Sequence, residues 1–382
     1  KFYEKIMNFN FSSKKDLVTF LNVERFKKIF VLTGNISYKL SGIGEILDKY
    51  LISKKNKSFS TKFYFKKSPI PIYEELKDII SEINKFKPDL IISAGGGSVI
   101  DYAKIANVLF NENDLSNKII NSSYLLKGKL AKLCAIPTTA GSGAEVTSNA
   151  VIYLNKIKYS IEGNYLLPDY FFLLPEIVAK VPKKLKACSG FDAISQSIES
   201  LISKKSNSES LDFAKKSLSI SLKYFIDYLN KPSEENSSAM CFAANLSGKA
   251  INISKTTAPH ALSYPFTSIF GINHGHAVSL TLNDFLNFNY KNISQANCDF
   301  DLKKRFEIIF KLTKSKNIND LDKFIINLKL NSKLESNFKK LGINIENDYS
   351  KIISGVNSQR LQNNPIKLTE IDIKNILLKN HN

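Results

Sequence analysis

Three of the chain's four histidines, His260, His274 and His276, lie within a short segment that is poor in charged residues. Imidazole nitrogens are ligands for divalent metals such as Zn²⁺ and Fe²⁺. His260 and His274 are too far apart for one helical face, so a turn in the glycine-containing region 271–275 must bring them together. The alternative is one buried histidine bonded to a backbone carbonyl and two loop histidines. The segment therefore indicates half of a metal site without deciding the matter alone.

The length and composition are those of a soluble globular protein with room for two domains. The 382 residues are 43% apolar and 23% charged. No apolar run approaches the roughly 18 residues that a membrane helix needs, and the first residues lack the apolar core of a signal peptide. The four cysteines are scattered singly, which argues against a disulfide framework or a zinc ribbon. We expect a cytoplasmic protein with no membrane partner.

The net charge of +19 raises the question of nucleic-acid binding. Of the 54 basic residues only Arg25, Arg305 and Arg360 are arginine, and the lysines are spread along the chain instead of forming a block. Nucleic-acid readers rely more on clustered arginine and interleaved aromatic residues. We therefore expect no nucleic-acid partner, whereas a small anionic substrate is compatible with the charge.

The chain divides by pattern near residue 180. Before it, short β-rich runs alternate with helical stretches, which indicates a parallel sheet covered by helices. After it, long amphipathic helical patterns take over. We predict an α/β domain over 1–180 and a helical domain over 181–382. The predicted strands are 28–33, 62–65, 90–94, 133–136, 150–154, 158–161 and 170–174, the last three as hairpin or edge strands, and the predicted helices include 41–51, 72–86, 99–110, 185–203, 208–229, 234–253 and 274–288.

A glycine-rich turn, Ala94-Gly-Gly-Gly-Ser98, joins the third strand to a helix. Glycines let backbone N–H groups approach an oxyanion, and the helix N-terminus adds positive potential. The spacing matches neither the dinucleotide fingerprint nor the P-loop, and a tight turn with Ser98 as helix cap is the plain alternative. A second loop of small and hydroxyl residues, 136–145, follows the next strand. Two such loops at the carboxyl ends of parallel strands favour a nucleotide site in the crevice between them.

Four segments in order resemble the iron-dependent, group III alcohol dehydrogenases: residues 95–104 (GGGSVIDYAK), 136–145 (IPTTAGSGAE), 190–199 (GFDAISQSIE) and 260–276. The resemblance spans nearly the whole chain. It implies a dehydroquinate-synthase-like fold, with an N-terminal Rossmann-type nucleotide-binding domain, a C-terminal helical metal-binding domain and a cleft between them. It also implies an NAD(P)-dependent alcohol dehydrogenase or aldehyde reductase and, by analogy only, a homodimer.

The resemblance assigns the coenzyme contacts. The position after the first strand, which contacts the adenosine ribose in the family, holds Gly34, and this residue carries no negative charge to repel a 2′-phosphate. We therefore expect NADPH to be accepted. The residues matched to the coenzyme are Gly34, Asn35, Gly96, Gly97, Ser98, Asp101, Thr138, Thr139, Ser142 and Lys158.

The resemblance likewise gives the metal ligands Asp192, His260 and His274. Where the family commonly has a fourth ligand, a histidine, this chain has Gln196, which lies at i+4 from Asp192 and so points the same way. Its amide oxygen is a weaker donor than imidazole, so we expect a loosely held Fe²⁺ or Zn²⁺, with a metal-free site as the alternative. Tyr264 stands where many relatives have a further histidine. The proton route then uses Tyr264, His276, water or the ribose hydroxyl.

Within the family, the Gln196 variant is most similar to phosphonoacetaldehyde reductases, which form 2-hydroxyethylphosphonate in phosphonate biosynthesis. A phosphonate dianion needs cationic or hydroxyl partners, for which Ser195, Lys255, Arg360 and His276 are the candidates. The alternatives are reduction of another short aldehyde such as lactaldehyde, butanal or succinic semialdehyde, a dehydroquinate-synthase-like lyase, and a basic binding module.

Overall fold

The structure is a computed structural model and describes residues 13–22, 26–52 and 59–379. Short apolar segments of the N-terminal half form strands, because β-branched and aromatic residues dominate them. Within the described residues these strands are β1 (Lys28–Gly34), β2 (Ser60–Lys66), β3 (Leu90–Gly95), β4 (Lys132–Pro137), β5 (Asn149–Leu154), β6 (Ile157–Glu162) and β7 (Tyr170–Phe171).

Five strands form one parallel sheet in the order β2-β1-β3-β4-β7. Every residue of β3 is buried, and in β1 only Lys28 is exposed, as a sheet covered on both faces requires. Strands β5 and β6 form a separate antiparallel hairpin. The predicted strand 170–174 is shorter than expected, because the chain leaves the sheet after Phe171 and Pro175 starts a helix.

Helices cover both faces of this sheet. On one face the helices pack around Leu76, Ile79 and Tyr102, and on the other they pack around Leu17, Ile43 and Leu47. The helices of this half are α1 (Lys14–Asn22), α2 (Asn35–Leu40), α3 (Ile43–Leu47), α4 (Tyr73–Phe86), α5 (Gly97–Val108) and α6 (Leu115–Ile120), with a π-helical turn at Asp48–Ile52 and 3₁₀ turns at Ala144–Val146 and Asn164–Leu166.

The predicted helix over 41–51 corresponds to α3 and the π-helical turn that continues it to Ile52. Helix α2, which was not predicted, precedes it, and the two are separated at Gly42, whose φ of 84° lies in the left-handed region that glycine adopts without strain. The predicted helix 274–288 is divided at Leu280 and Thr281. Hydrophobic periodicity alone does not register a local break when apolar residues continue on both sides of it.

The remainder of the described chain is helical. The helix at Lys183–Ile202, α8, is buried over most of its length and packs against the helices at Ser208–Asn230, Glu234–Ser254 and His274–Ser279. No helix of the described residues is both long enough and apolar enough to cross a bilayer. The helices are α7 (Pro175–Ala179), α8 (Lys183–Ile202), α9 (Ser208–Asn230), α10 (Glu234–Ser254), α11 (Ala258–Phe270), α12 (His274–Ser279), α13 (Leu282–Lys291), α14 (Leu302–Thr313), α15 (Ile318–Asn331), α16 (Ile345–Ser354), α17 (Ser358–Gln362) and α18 (Glu370–Lys379), with 3₁₀ turns at Ile293–Gln295 and Lys339–Leu341. The predicted fold class, a parallel α/β part followed by an all-helical part, is confirmed.

Candidate metal and coenzyme site

Helix α8 places Asp192 and two further polar side chains, Gln196 and Glu199, at i, i+4 and i+7, which is one face of the helix. All three are buried, with exposed fractions of 4%, 3% and 0%. Buried carboxylates are costly unless they are paired, so this face must meet complementary groups.

The two histidines come from helices α11 and α12, which the chain joins by a tight reversal. Gly271 ends α11 with a φ of 69°, and α12 begins three residues later at His274. Gly275 lies directly against α8, since a Cβ atom there would be 1.9 Å from the carbonyl oxygen of Cys188 and 2.9 Å from Cβ of Asp192. Only glycine permits this approach, which brings His274 up to the carboxylate.

Asp192, His260 and His274 each direct one donor atom to a common point, and these atoms lie within 4.8 Å of one another. Oδ1 of Asp192 is 3.2 Å from Nε2 of His260 and 4.0 Å from Nε2 of His274. The imidazole centroids are 5.3 Å apart. One carboxylate and two imidazoles form a donor set suited to Fe²⁺ or Zn²⁺, with room left for a substrate oxygen. The residues present fit a divalent metal.

The charges of this donor set are strongly coupled. Burial lowers the pKa of His274 to about 4, against the attraction of Asp192. Burial acts in the same direction on His260, but Glu199 and Asp192 outweigh it and raise the pKa of His260 to about 9. Burial opposes ionisation of Asp192, yet the hydrogen bond with His260 keeps the pKa of its carboxyl below the ordinary value. A metal ion therefore competes mainly with one proton, the one on His260.

Glu199 is a site residue that the sequence analysis did not single out. Its Oε1 lies 2.7 Å from Nδ1 of His260, and its Oε2 accepts hydrogen bonds from the backbone N–H of Thr257 at 2.7 Å and from the Thr257 hydroxyl at 3.0 Å. The signal that could have found it is its spacing of seven residues from Asp192 on the same helix.

Gln196 faces the donor set with its amide nitrogen. Its Oε1 accepts a hydrogen bond from the hydroxyl of Ser247 at 2.9 Å, while Nε2 donates to the carbonyl of Ser142 at 3.4 Å and the amide also hydrogen-bonds Asp192. To offer its oxygen to a metal, as expected from sequence, the amide must turn over, so that the Ser247 hydroxyl no longer donates to this oxygen.

Tyr264 lies flat against His274, with ring centroids 5.6 Å apart and an interplanar angle of 11°. Burial raises the pKa of Tyr264 to about 12, so its hydroxyl keeps its proton at neutral pH. Nζ of Lys158 stands 4.3 Å from the centroid of the Tyr264 ring and 2.5 Å from the Ser160 hydroxyl. Burial holds the pKa of Lys158 well below its usual range.

The two predicted nucleotide loops meet at the carboxyl edge of the sheet. A Cβ atom on Gly97 would lie 2.8 Å from the hydroxyl of Ser142, and one on Gly96 would lie 3.5 Å from the hydroxyl of Thr139. Thr138 is 1% exposed, and among the described residues its hydroxyl has no hydrogen-bond partner. A bound nucleotide would explain both features, because glycines leave space for its phosphates and the buried Thr138 hydroxyl needs a hydrogen-bond partner. The site therefore fits a nicotinamide coenzyme.

The other predicted coenzyme residues lie around the same edge. Gly34 ends β1 next to β3, Asn35 is exposed at the start of α2, and Ser98 is in the first turn of α5. Burial raises the pKa of Asp101 to about 6, which neighbouring Lys104 opposes.

Lys66, at the end of β2, is a second residue that the sequence analysis missed. Its Nζ lies 2.7 Å from the hydroxyl of Ser98 and 3.0 Å from the carbonyl of Pro69. Burial lowers the pKa of Lys66 to about 8. An ammonium beside a helix N-terminus adds positive charge to a positive dipole end, an arrangement that a bound anion would stabilise.

The predicted substrate residues fall into two groups. Lys255 and Arg360 line a cavity of about 390 Å³ together with Glu162, Lys204 and Lys205. The carboxylate of Glu162 joins the two cations, with Oε2 3.6 Å from Nζ of Lys255 and Oε1 3.2 Å from Nη2 of Arg360. The Arg360 guanidinium also acts on the Tyr264 hydroxyl, opposing the rise in its pKa, which links the cavity to the donor set.

Ser195 and His276 are directed elsewhere. The Ser195 hydroxyl donates to the carbonyl of Phe191 within α8 and is fully buried. Nε2 of His276 lies 2.7 Å from the carbonyl oxygen of Glu335. Neither side chain lines the basic cavity, and His276 is not among the three metal donors.

Two family models match the chain. Residues 8–175 match the iron-containing alcohol dehydrogenase model, and residues 186–381 match the C-terminal model of the Fe-containing alcohol dehydrogenase family. Among solved structures, sulfoacetaldehyde reductase from Bifidobacterium kashiwanohense in complex with NAD⁺ superposes with a TM-score of 0.83 at 24% identity, covering 96% of this chain and 94% of that one. This likeness supports the fold.

Relatives in sequence are diverse. Aldehyde-alcohol dehydrogenase 2 of Entamoeba histolytica is 25% identical over 279 residues, which are 70% of this chain but only 32% of that protein. Phosphonoacetaldehyde reductase of Streptomyces viridochromogenes is 29% identical over 220 residues, 55% of each chain. The matched regions thus span a third to about half of these two relatives. The resemblance noted in the sequence is confirmed at the level of the family: the chain belongs to the iron-containing alcohol dehydrogenases, with a coenzyme edge and an Asp192, His260 and His274 metal site.

Proposed function

We propose that this protein reduces a small anionic aldehyde to a primary alcohol with NAD(P)H and a divalent metal. Phosphonoacetaldehyde, giving 2-hydroxyethylphosphonate, is the substrate we favour. The observation that carries the proposal is the link from the donor set through Tyr264 to the basic cavity of Lys255 and Arg360. The aldehyde group of the substrate would lie at the donor set, and its anionic group would lie in the basic cavity.

The metal would be held by Asp192, His260 and His274 and would supply Lewis-acid polarisation of the carbonyl. The reduced nicotinamide supplies the hydride. The net reaction consumes aldehyde, NAD(P)H and one proton and yields alcohol and NAD(P)⁺. The chain's own part is to orient both reactants and limit the access of water, since Asp192, His260 and Tyr264 are buried while 37% of the His274 side chain is exposed.

Tyr264 is the group that we propose supplies the proton to the developing alkoxide. Its ring lies against His274, and its hydroxyl is protonated at neutral pH because burial raises its pKa to about 12. His276 is a weaker candidate for this step, since its Nε2 is engaged by the carbonyl of Glu335. The neighbouring guanidinium of Arg360 favours proton loss from Tyr264 during the reaction.

The basic cavity supports an anionic substrate. Arg360 presents a buried guanidinium, with 7% of its surface exposed, and guanidinium geometry suits phosphonate and sulfonate oxygens. Its partner Glu162 is shared with Lys255, so the cavity keeps an excess of positive charge even when this carboxylate is ionised. The phosphonoacetaldehyde reductase relative and the sulfoacetaldehyde reductase structure both have names that specify a two-carbon aldehyde with an anionic head group.

We further propose that NADPH is used. Gly34 gives no negative charge at the end of β1, and Lys66 is paired in register with Gly34 on the neighbouring strand. The ammonium of Lys66 beside Ser98 adds positive charge at the edge where the coenzyme phosphates would lie.

The test is a spectrophotometric assay of the Fe²⁺- or Zn²⁺-loaded protein with NADPH. Phosphonoacetaldehyde and succinic semialdehyde represent anionic aldehydes, and lactaldehyde and butanal are neutral ones. We expect kcat/KM to be at least about tenfold higher for phosphonoacetaldehyde than for butanal, the equivalent of one charged hydrogen bond. Equal or higher values for the neutral aldehydes would point instead to a general alcohol dehydrogenase of this family.

A further inference from the structure

Glu199 has an environment that is unusual for a carboxylate. It is 0% exposed, and among the described residues its ion-pair partner is a histidine and not a lysine or arginine. Burying a carboxylate without a permanent cation is costly, and the cost is reduced only by well-formed hydrogen bonds. Both of its oxygens are engaged, Oε1 by His260 and Oε2 by Thr257.

We propose that Glu199 is a positioning residue that fixes the tautomer of His260. An ionised carboxylate only accepts hydrogen bonds, so Nδ1 of His260 must carry the hydrogen. When Nε2 gives up the hydrogen that it donates to Asp192 in the metal-free protein, its lone pair is the one available to a metal in the donor set. This inference rests on the metal site of the proposed function, and it adds to that site a residue that never touches the metal.

Thr257 is what holds Glu199 in this role. Its backbone N–H, at 2.7 Å, cannot rotate away, and its hydroxyl contributes a second donor to the same oxygen. Thr257 is the residue just before α11, and His260 follows three positions later, so one helix start fixes both the carboxylate and the imidazole. The carboxylate and the first metal donor, Asp192, share helix α8. His260 is therefore clamped between two residues of one rigid element.

The substitution Glu199→Gln has a specific predicted consequence. Glutamine has one acceptor oxygen, and the fixed N–H of Thr257 requires it. The amide NH₂ then faces Nδ1 of His260, which must become the acceptor, and the hydrogen moves to Nε2. A protonated Nε2 cannot bind a metal. Glu199→Gln, although nearly isosteric, should therefore convert Nε2 from a metal ligand into a hydrogen-bond donor.

The experiment measures Zn²⁺ and Co²⁺ affinity by chelator competition, without substrate or coenzyme. For Glu199→Gln we expect the metal Kd to rise about 10- to 100-fold, as for other residues that orient a ligand. Glu199→Asp keeps an acceptor and should restore part of the affinity. The matched control is Glu75→Gln, because Glu75 is another buried carboxylate, 3% exposed, that accepts two backbone N–H groups and a tyrosine hydroxyl in the N-terminal half. Its variant should leave the metal Kd within threefold.

A second readout separates positioning from simple stabilisation. Nitrogen-15 shifts of the metal-free protein, recorded at alkaline pH where the His260 ring is neutral, should show the Nδ1–H form in wild type and the Nε2–H form in Glu199→Gln. The chain has only four histidines, which keeps the spectrum assignable. An unchanged tautomer, or a metal Kd within threefold of wild type, would overturn the proposal. If Glu199→Gln does not fold, Glu199→Asp provides the test. The proposal then requires a larger metal Kd together with the wild-type tautomer, and an unaltered Kd refutes it. Neither readout depends on which aldehyde is reduced, so failure of the proposed substrate would leave this result standing.

Discussion

Replacing Arg360 by methionine tests the anionic subsite most directly. Arg360 is 7% exposed, its guanidinium lies 3.2 Å from Glu162, and its charge opposes the rise in the pKa of Tyr264, whose ring is stacked on His274. Methionine preserves much of the volume and removes the charge and all of its donors. The substitution therefore removes the interactions of the guanidinium and leaves the packing of the side chain largely unchanged.

The size of the effect follows from the burial of Arg360. A hydrogen bond to a charged group contributes about 1.5–3 kcal/mol, which corresponds to roughly 10- to 150-fold in kcat/KM. We therefore expect the ratio of kcat/KM for phosphonoacetaldehyde to that for butanal to fall by this factor. Using the ratio cancels any general damage to the coenzyme or metal site, since butanal reports on that damage.

Lys205 provides the matched control because it lines the same cavity but is exposed. Solvent and salt screen exposed charges, so Lys205→Met should alter the ratio less than about threefold at 0.15 M salt. If Arg360→Met changes the ratio no more than Lys205→Met does, the cavity does not bind the substrate's anionic group, and the reasoning that connects it to the donor set is wrong.

Three further predictions concern the metal and the coenzyme. Gln196→His replaces a neutral amide by an imidazole next to Asp192, so the Zn²⁺ Kd should fall at least about tenfold in a chelator competition; an unchanged Kd would show that residue 196 does not reach the metal. Because the pKa of His260 is raised to about 9 while that of His274 is lowered to about 4, metal affinity should increase about tenfold from pH 7 to 8 and level off above pH 9, with one proton released per ion at pH 7 in calorimetry across buffers. A flat profile or the release of two protons would contradict the assignment. Lys66→Met should weaken NADPH binding by about tenfold in a fluorescence titration. If Lys66 binds the 2′-phosphate, NADPH binding should weaken more than NADH binding, whereas equal losses would assign Lys66 to the pyrophosphate. No loss with either coenzyme would show that Lys66 is not part of the coenzyme site.

Much of the architecture was predictable because periodicity is a local property. The strands β1, β3 and β4 are short apolar runs bounded by glycine, proline and polar residues, and they were located to within a residue or two. Their alternation with helices predicts a parallel sheet. The break at Leu280 escaped prediction because apolar spacing continues across it, and tertiary contacts decide where such a helix ends.

The candidate site divides in the same way. Asp192 and Gln196 share a helical face by spacing alone, and the reversal between His260 and His274 follows from the glycines around it. Ser195 looked equally suited to bind a substrate, yet its hydroxyl turns back onto its own helix. Orientation about a helix axis depends on the neighbours that the helix meets, and sequence does not supply them.

The sequence by itself determined the elements, the family and the residue types available for metal and coenzyme, because these depend on local pattern and on motifs of fixed spacing. Only the tertiary structure decided which of these residues meet. It placed Glu199 behind His260, Lys66 beside Ser98, and Lys255 with Arg360 around Glu162. These pairs are remote along the chain: residue 66 pairs with residue 98, and residue 162 with residue 360. Their attraction weakens with distance, so they interact only when packing has brought them together.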